Sequence, residues 1–246
     1  MVSDKQAMKF RISLYAAILS IFILTEAAIY LSFNIIMATE GRDPIYLKYS
    51  GILICLAFSA LSCIFFRRDG VVLTAAMVFT AISDFFIFVL NGFYELGVST
   101  FIITQFVYLY RLYADRLSKV YITLAVRVLI AAALMIILNM LGVLDFLTAV
   151  VAIYIAMLIF NLAEAAYLSR YGLKNALFAV GLALFLCCDV CVGLNNFGSV
   201  LGIALPQGVL TFVSYAMWAF YLPSQVCIVC SAQRGGISLR RNDDAK

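Results

Sequence analysis

Apolar runs alternate with short polar breaks along the whole chain. About twenty apolar residues cross a bilayer core, and eight runs of that order predict eight transmembrane helices. They lie near 13–36, 45–66, 70–90, 95–114, 119–141, 145–168, 174–195 and 206–231. The first follows Lys5, Lys9 and Arg11 as a signal peptide would, but its length makes it a retained helix. The pattern predicts an all-α polytopic membrane protein, with one eight-helix domain over 1–234. The cytoplasmic tail 235–246 reads as disordered.

The polar breaks also carry an orientation. Every basic residue except Arg42, Lys48 and Arg127 falls in the N-terminal tail, at the second, fourth or sixth loop, or in the C-terminal tail. Arg111 is counted with the fourth loop. By the positive-inside rule both termini are cytoplasmic, which requires an even number of spans. The expected location is the cell membrane.

Two stretches look alike. Span 3 ends DFFIFVLNGF from Asp84 to Phe93, and span 7 ends DVCVGLNNF from Asp189 to Phe197. Four spans separate them, as in a parallel 4 + 4 repeat with halves 1–116 and 117–234. Chance likeness between two apolar helices explains them equally well.

Composition narrows the class. Of 246 residues 65% are hydrophobic and 12% charged, against roughly 45–50% and about 25% in soluble domains. A soluble fold, a disordered chain and a secreted disulfide scaffold are excluded. The net charge of +4 is spread over short loops, so no nucleic-acid partner is expected. Histidine is absent, which removes Ser–His catalysis and the commonest metal ligand. Seven cysteines lie within apolar runs. Cys188/Cys191 and Cys227/Cys230 share a Cys-x-x-Cys spacing, but the two pairs sit at different depths and read as packing residues, not a zinc site.

Ionisable residues at membrane depth cost roughly 2.5–3.5 kcal/mol on insertion scales, so each needs a reason. Five qualify: Glu26, Asp84, Arg127, Glu164 and Asp189. Asp84 lies about 21 Å along its helix from Gly70, and Asp189 about 22 Å from Lys174, at 1.5 Å per residue. The two carboxyls therefore share one level in the outer half of the bilayer. They read either as two unrelated packing groups or as a catalytic pair facing one polar cavity. Such a pair holds one acid protonated and its partner ionised, so that one gives a proton while the other activates water. That division suits a reaction through an oxocarbenium-like cation.

Asn91 and Asn195 at the outer mouth, Gln105 and Tyr108 on span 4, and Tyr215, Tyr221 and Gln225 on span 8 are candidates to line the same cavity and bind substrate. Taken singly, each reads rather as an interhelical hydrogen bond. Arg127 and Glu164, nearer the cytoplasmic face, read as a structural ion pair between spans 5 and 6.

These residues bring a resemblance with them. The runs Phe79–Phe86 (FTAISDFF), Asn91-Gly92-Phe93 and Leu96-Gly97 resemble an aspartate helix end of the YhhN family of membrane proteins, whose characterised members are lysoplasmalogenases. Gly181–Phe197 is similar to the family's later aspartate helix, and Tyr221-Leu-Pro-Ser-Gln225 to its final Tyr-x-x-x-Gln helix. The resemblance covers about Lys48 to Ser231. Ser83, Cys188 and Gln105 stand where the family commonly has glycine, serine and histidine, and Lys48-Tyr49 replaces a common Lys-Pro. The resemblance implies hydrolysis of the vinyl ether bond of a lysophospholipid, with Asp84 and Asp189 as acid and base and no metal or organic cofactor. Lys48, at the outer end of span 2, is either a contact for the lipid phosphate or an interfacial anchor. A small proton-coupled transporter or lipid-binding protein using the same carboxyl pair is the alternative.

Overall fold

The computed structural model describes residues 2–41, 44–201, 205–234 and 237, with side chains throughout except at 2–5 and 197–201. Arg42 and nearly all of the tail 235–246 lie outside the described residues. Of that tail Ile237 alone is described, and it is buried in the core.

The described residues form eight α-helices: α1 Val2–Glu40, α2 Ile45–Ser62, α3 Arg67–Asp84, α4 Tyr94–Tyr113, α5 Val120–Met140, α6 Phe146–Ser169, α7 Leu173–Leu201 and α8 Gln207–Cys230. Helices are the one open-ended element that satisfies every backbone group without water. Seven of the eight are long and apolar enough to cross a membrane. The exception is α4, whose Glu95, Thr100, Thr104, Gln105, Tyr108 and Arg111 dilute its apolar character. All of those residues except Glu95 are buried. Polarity in α4 thus faces protein and not lipid.

The packing order explains why. Neighbouring contacts run α2–α3–α4–α6–α7–α8 and back to α2, which closes a ring of six helices. Helix α1 leans on α2 and α8 from outside, and α5 leans on α6. Only Arg127 and Ala131 of α5 are buried, so its apolar surface faces outward as a lipid-facing helix should. α1 is held by stacked contacts such as Phe22 on Phe58, 4.1 Å between ring centres.

Two small residues let ring helices close in. The Ser83 hydroxyl donates to the Gly97 carbonyl at 2.5 Å, joining α3 to α4. At Gly181 a Cβ would lie 2.6 Å from Ile228 Cγ1 and 3.0 Å from the Ser224 carbonyl oxygen on α8. Small residues at such crossings replace the missing hydrophobic drive between membrane helices with close packing. Gly181→Ala is therefore expected to destabilise the protein by about 1–3 kcal/mol, the usual cost of overpacking. Gly193→Ala, on the same helix with open space around it, is the control and leaves the midpoint of thermal unfolding in detergent unchanged or raised.

Asp145 starts α6 with a capping box. Its carboxylate accepts the Thr148 amide at 2.7 Å, and the Thr148 hydroxyl accepts the Asp145 amide at 2.8 Å. The bond from the Thr148 backbone, then that from its side chain, holds the Asp145 carboxyl below the ordinary carboxylate range. A lowered native pKa stabilises the ionised form. The cap's contribution is complete above the ordinary value and disappears as pH falls through the lowered one. Amide protection at Thr148, relative to the intrinsic exchange rate at each pH, is expected to hold at neutral pH and to fall only in that acid window. Asp145→Ala removes it at neutral pH and changes nothing below the window, where the parent's cap is already lost.

Candidate functional site

Helix α3 ends in an unusual way. After Asp84 the chain widens into a π-helical segment, Phe85–Val89, with the Leu90 amide donating to the Phe85 carbonyl at 2.9 Å. It then turns through Asn91 and Phe93, both with positive φ, of 45° and 53°. A bulky residue in the left-handed region is rare, and π segments and such strain concentrate at functional sites. The matching stretch of α7 after Asp189 stays helical through Leu201, six residues beyond the span expected from sequence.

Asp84 is fully buried. The Tyr221 hydroxyl on α8 donates to it, 2.8 Å from Oδ1 and 2.6 Å from Oδ2. Asp189 is half-buried, and Oδ2 accepts from the Tyr154 hydroxyl on α6 at 2.6 Å. The two carboxyls come from opposite sides of the ring and lie within electrostatic reach of each other, with Cys188 near both. Rings fill the space between their tyrosines. Phe185 lies 5.5 Å from Tyr221 and 6.5 Å from Tyr154, and Phe101 packs 5.5 Å from Phe185.

Lys48 extends this arrangement. It is buried, and Nζ stands 4.4 Å from the Trp218 ring centre and 5.0 Å from that of Phe33. Trp218 meets Tyr221 edge to face at 5.3 Å. An ammonium over aromatic faces is held electrostatically. A continuous path thus runs from Lys48 through Trp218 and Tyr221 to Asp84.

The other residues anticipated from sequence divide. Gln105, Tyr108 and Gln225 are fully buried in the ring. The Asn161 amide donates to the Gln105 carbonyl and to its Oε1, both at 2.9 Å. Asn91 is exposed, and its Oδ1 accepts the Tyr94 hydroxyl in the turn. Asn195 is exposed on α7. Tyr215 turns to α1 and donates to the Met37 carbonyl at 3.2 Å. These three do not join the carboxylates. Arg127 Nη2 meets Glu164 Oε2 at 2.7 Å, and Tyr113 and Thr123 donate to Glu164 Oε1. Glu26 is buried beside Cys55, whose thiol lies 3.5 Å from its Oε1.

A family model, that of the YhhN family, matches residues 44–232. The chain belongs to the YhhN family. The match begins just before α2, so the six-helix ring with α5 is the YhhN portion and α1 lies outside it. No curated protein and no solved structure matches the chain.

Several YhhN-region residues escaped the sequence reading. Tyr154 and Asn161 sit seven residues apart on one face of α6, a polar stripe in an otherwise apolar run. Trp218 is the single tryptophan. Arg111, counted from sequence among the loop charges, is instead inside α4 and 1% exposed. Its Nε and Nη2 bind Asp69 at 2.7 and 2.8 Å. Charge counting could not separate a loop arginine from a buried one, because the difference is a partner 42 residues away.

Proposed function

We propose that this YhhN protein is a membrane-embedded hydrolase that cleaves the vinyl ether bond of a lysoplasmalogen or a related lysolipid. The observation that carries the reading is the carboxylate pair, each member held by a tyrosine hydroxyl, in an interior walled by aromatic rings. Asp84 and Asp189 are the acid and base. One, protonated, gives its proton to the vinyl carbon beyond the ether-bearing carbon, leaving an oxocarbenium cation. The other, ionised, stabilises that cation and takes a proton from the water that attacks it. The hemiacetal then loses its hydroxyl proton to the first carboxylate while the second protonates the departing glycerol oxygen. Aldehyde and glycerophospho-headgroup leave, and both carboxyls return to their starting states with one water consumed.

The faces of Phe101, Phe185, Tyr154 and Tyr221 suit a transient cation and exclude bulk water. Lys48 is the contact for the lipid phosphate. The order of helices around the ring supports a 4 + 4 parallel repeat, since α1 and α5 each stand outside the three ring helices that follow them. With α4 counted as the eighth span, the bias of basic residues to one set of loops supports both termini in the cytoplasm.

Purified protein in detergent, given a lysoplasmalogen, is expected to release fatty aldehyde with no gradient present. A well-folded protein that releases none, but moves protons or solute in sealed vesicles, is a carrier.

A further inference from the structure

One helical turn from the carboxylates, toward the Asp69–Arg111 end of the ring, lies a layer of neutral polar residues: Thr80 on α3, Gln105 and Tyr108 on α4, Asn161 on α6 and Gln225 on α8. All five have 0% exposure. Thr80 is four residues from Asp84, and Gln225 four from Tyr221, so each stacks on the same helical face. Because the Tyr221 hydroxyl rests on Asp84, Thr80 and Gln225 face one another in the next layer. Asn161 closes the opposite side through its two bonds to Gln105. The Tyr108 and Thr80 hydroxyls approach without closing a hydrogen bond. Phe178, edge-on to Tyr108 at 5.3 Å, forms the floor.

Within this layer Thr80 Oγ1, Gln105 Nε2, Tyr108 OH, Asn161 Oδ1 and Gln225 Oε1 have no protein partner. A buried polar group left so costs about 1–3 kcal/mol, and the large majority in folded proteins are satisfied. Five together, from four helices, mark a ligand site. Its chemistry is mixed. Hydroxyls and an amide N–H donate, and two amide oxygens accept. Arg111, one turn along α4 from Tyr108, is consumed by Asp69 and by Ser231. A charged ligand finds no counter-charge here, and complete burial closes the layer to anything larger than water.

We propose that these five residues bind a small cluster of water molecules, each with the two to four polar partners a buried water needs. The cluster is the source of the water that attacks at Asp84 and Asp189, so lipid and water reach the carboxylates from opposite sides. The second statement rests on the hydrolase reading; the first does not.

X-ray radiolytic labelling in detergent separates them. Hydroxyl radicals formed from a bound water oxidise the side chain beside it, however well that side chain is shielded from bulk solvent. Tyr108 is expected to be oxidised in the parent protein, with exposed Tyr121 as the reference. In an 18O-water pulse Tyr108 takes up label later than Tyr121. In Thr80→Val/Gln225→Leu the Tyr108 label is lost while Tyr121 is unchanged. In an active parent the same variant lowers kcat at unchanged KM. Tyr108 unlabelled in the parent, at doses that saturate Tyr121, overturns the water site without help from any variant. Tyr108 labelled but kcat untouched by the double variant overturns the supply role. A parent that releases no aldehyde refutes the hydrolase reading and leaves the labelling result standing.

Discussion

Asp84→Asn and Asp189→Asn are each expected to lower aldehyde release by about 10²–10⁴-fold, the usual contribution of a positioned acid or base. Asparagine keeps the shape of the carboxylate and still offers an oxygen to Tyr221 or Tyr154, so the helices that carry these bonds remain docked. The proton and the negative charge are what is lost. Unfolding midpoints close to the parent's, with turnover gone from both variants, identify the pair as the catalytic machinery. Lowered midpoints with turnover per folded molecule intact would reduce Asp84 and Asp189 to packing groups and end the acid–base proposal. Tyr221→Phe sharpens the assignment. It removes the hydroxyl that holds buried Asp84 and none of the ring packing, so it should lower the rate and also cost about 1–3 kcal/mol of detergent stability.

The largest effect on stability is expected far from those carboxyls. Asp69→Ala should cost about 3–5 kcal/mol, because it leaves the Arg111 guanidinium buried without its countercharge. Three chain segments meet at this pair. Asp69 begins α3, Arg111 ends α4, and Arg111 also donates to the Ser231 hydroxyl and carbonyl just past α8, at 2.8 and 3.0 Å. The Gln233 amide returns a bond to Asp69 Oδ2 at 3.0 Å. An apolar replacement of both partners, Asp69→Leu with Arg111→Met, is expected to recover most of the loss, since desolvation is then no longer required. Thermal unfolding of the two single variants and the double one, in the same detergent, measures the coupling. If Asp69→Ala unfolds with the parent's midpoint, the cluster fastens nothing.

The candidate site was legible in part. An aspartate in an apolar run is conspicuous because burying it is costly, and both intramembrane aspartates are found inside the ring. Tyr221, Gln105, Tyr108 and Gln225 were visible as polar positions on inward faces. Asn91, Asn195 and Tyr215 were equally polar, yet they face a turn, the outside of α7 and helix α1. Composition treats these two groups alike. What separates them is rotation of a helix about its axis, and that is set by which neighbours it packs against.

Length and hydropathy alone determined that the chain is a bundle of eight membrane-type helices, since a bilayer accepts little else from such a sequence. Even α4, too polar to count among the seven, was found from its pattern. The resemblance of its motifs pointed to the YhhN family, which the match over residues 44–232 established. Tertiary structure decided the rest: the six-membered ring with α1 and α5 outside it, the Tyr154 and Trp218 partners, and the burial of Arg111 against Asp69. The π-helical end of α3 also emerged only there. Each of these depends on contacts between residues tens of positions apart. A one-dimensional pattern records how polar a residue is, but not which partner stands opposite it.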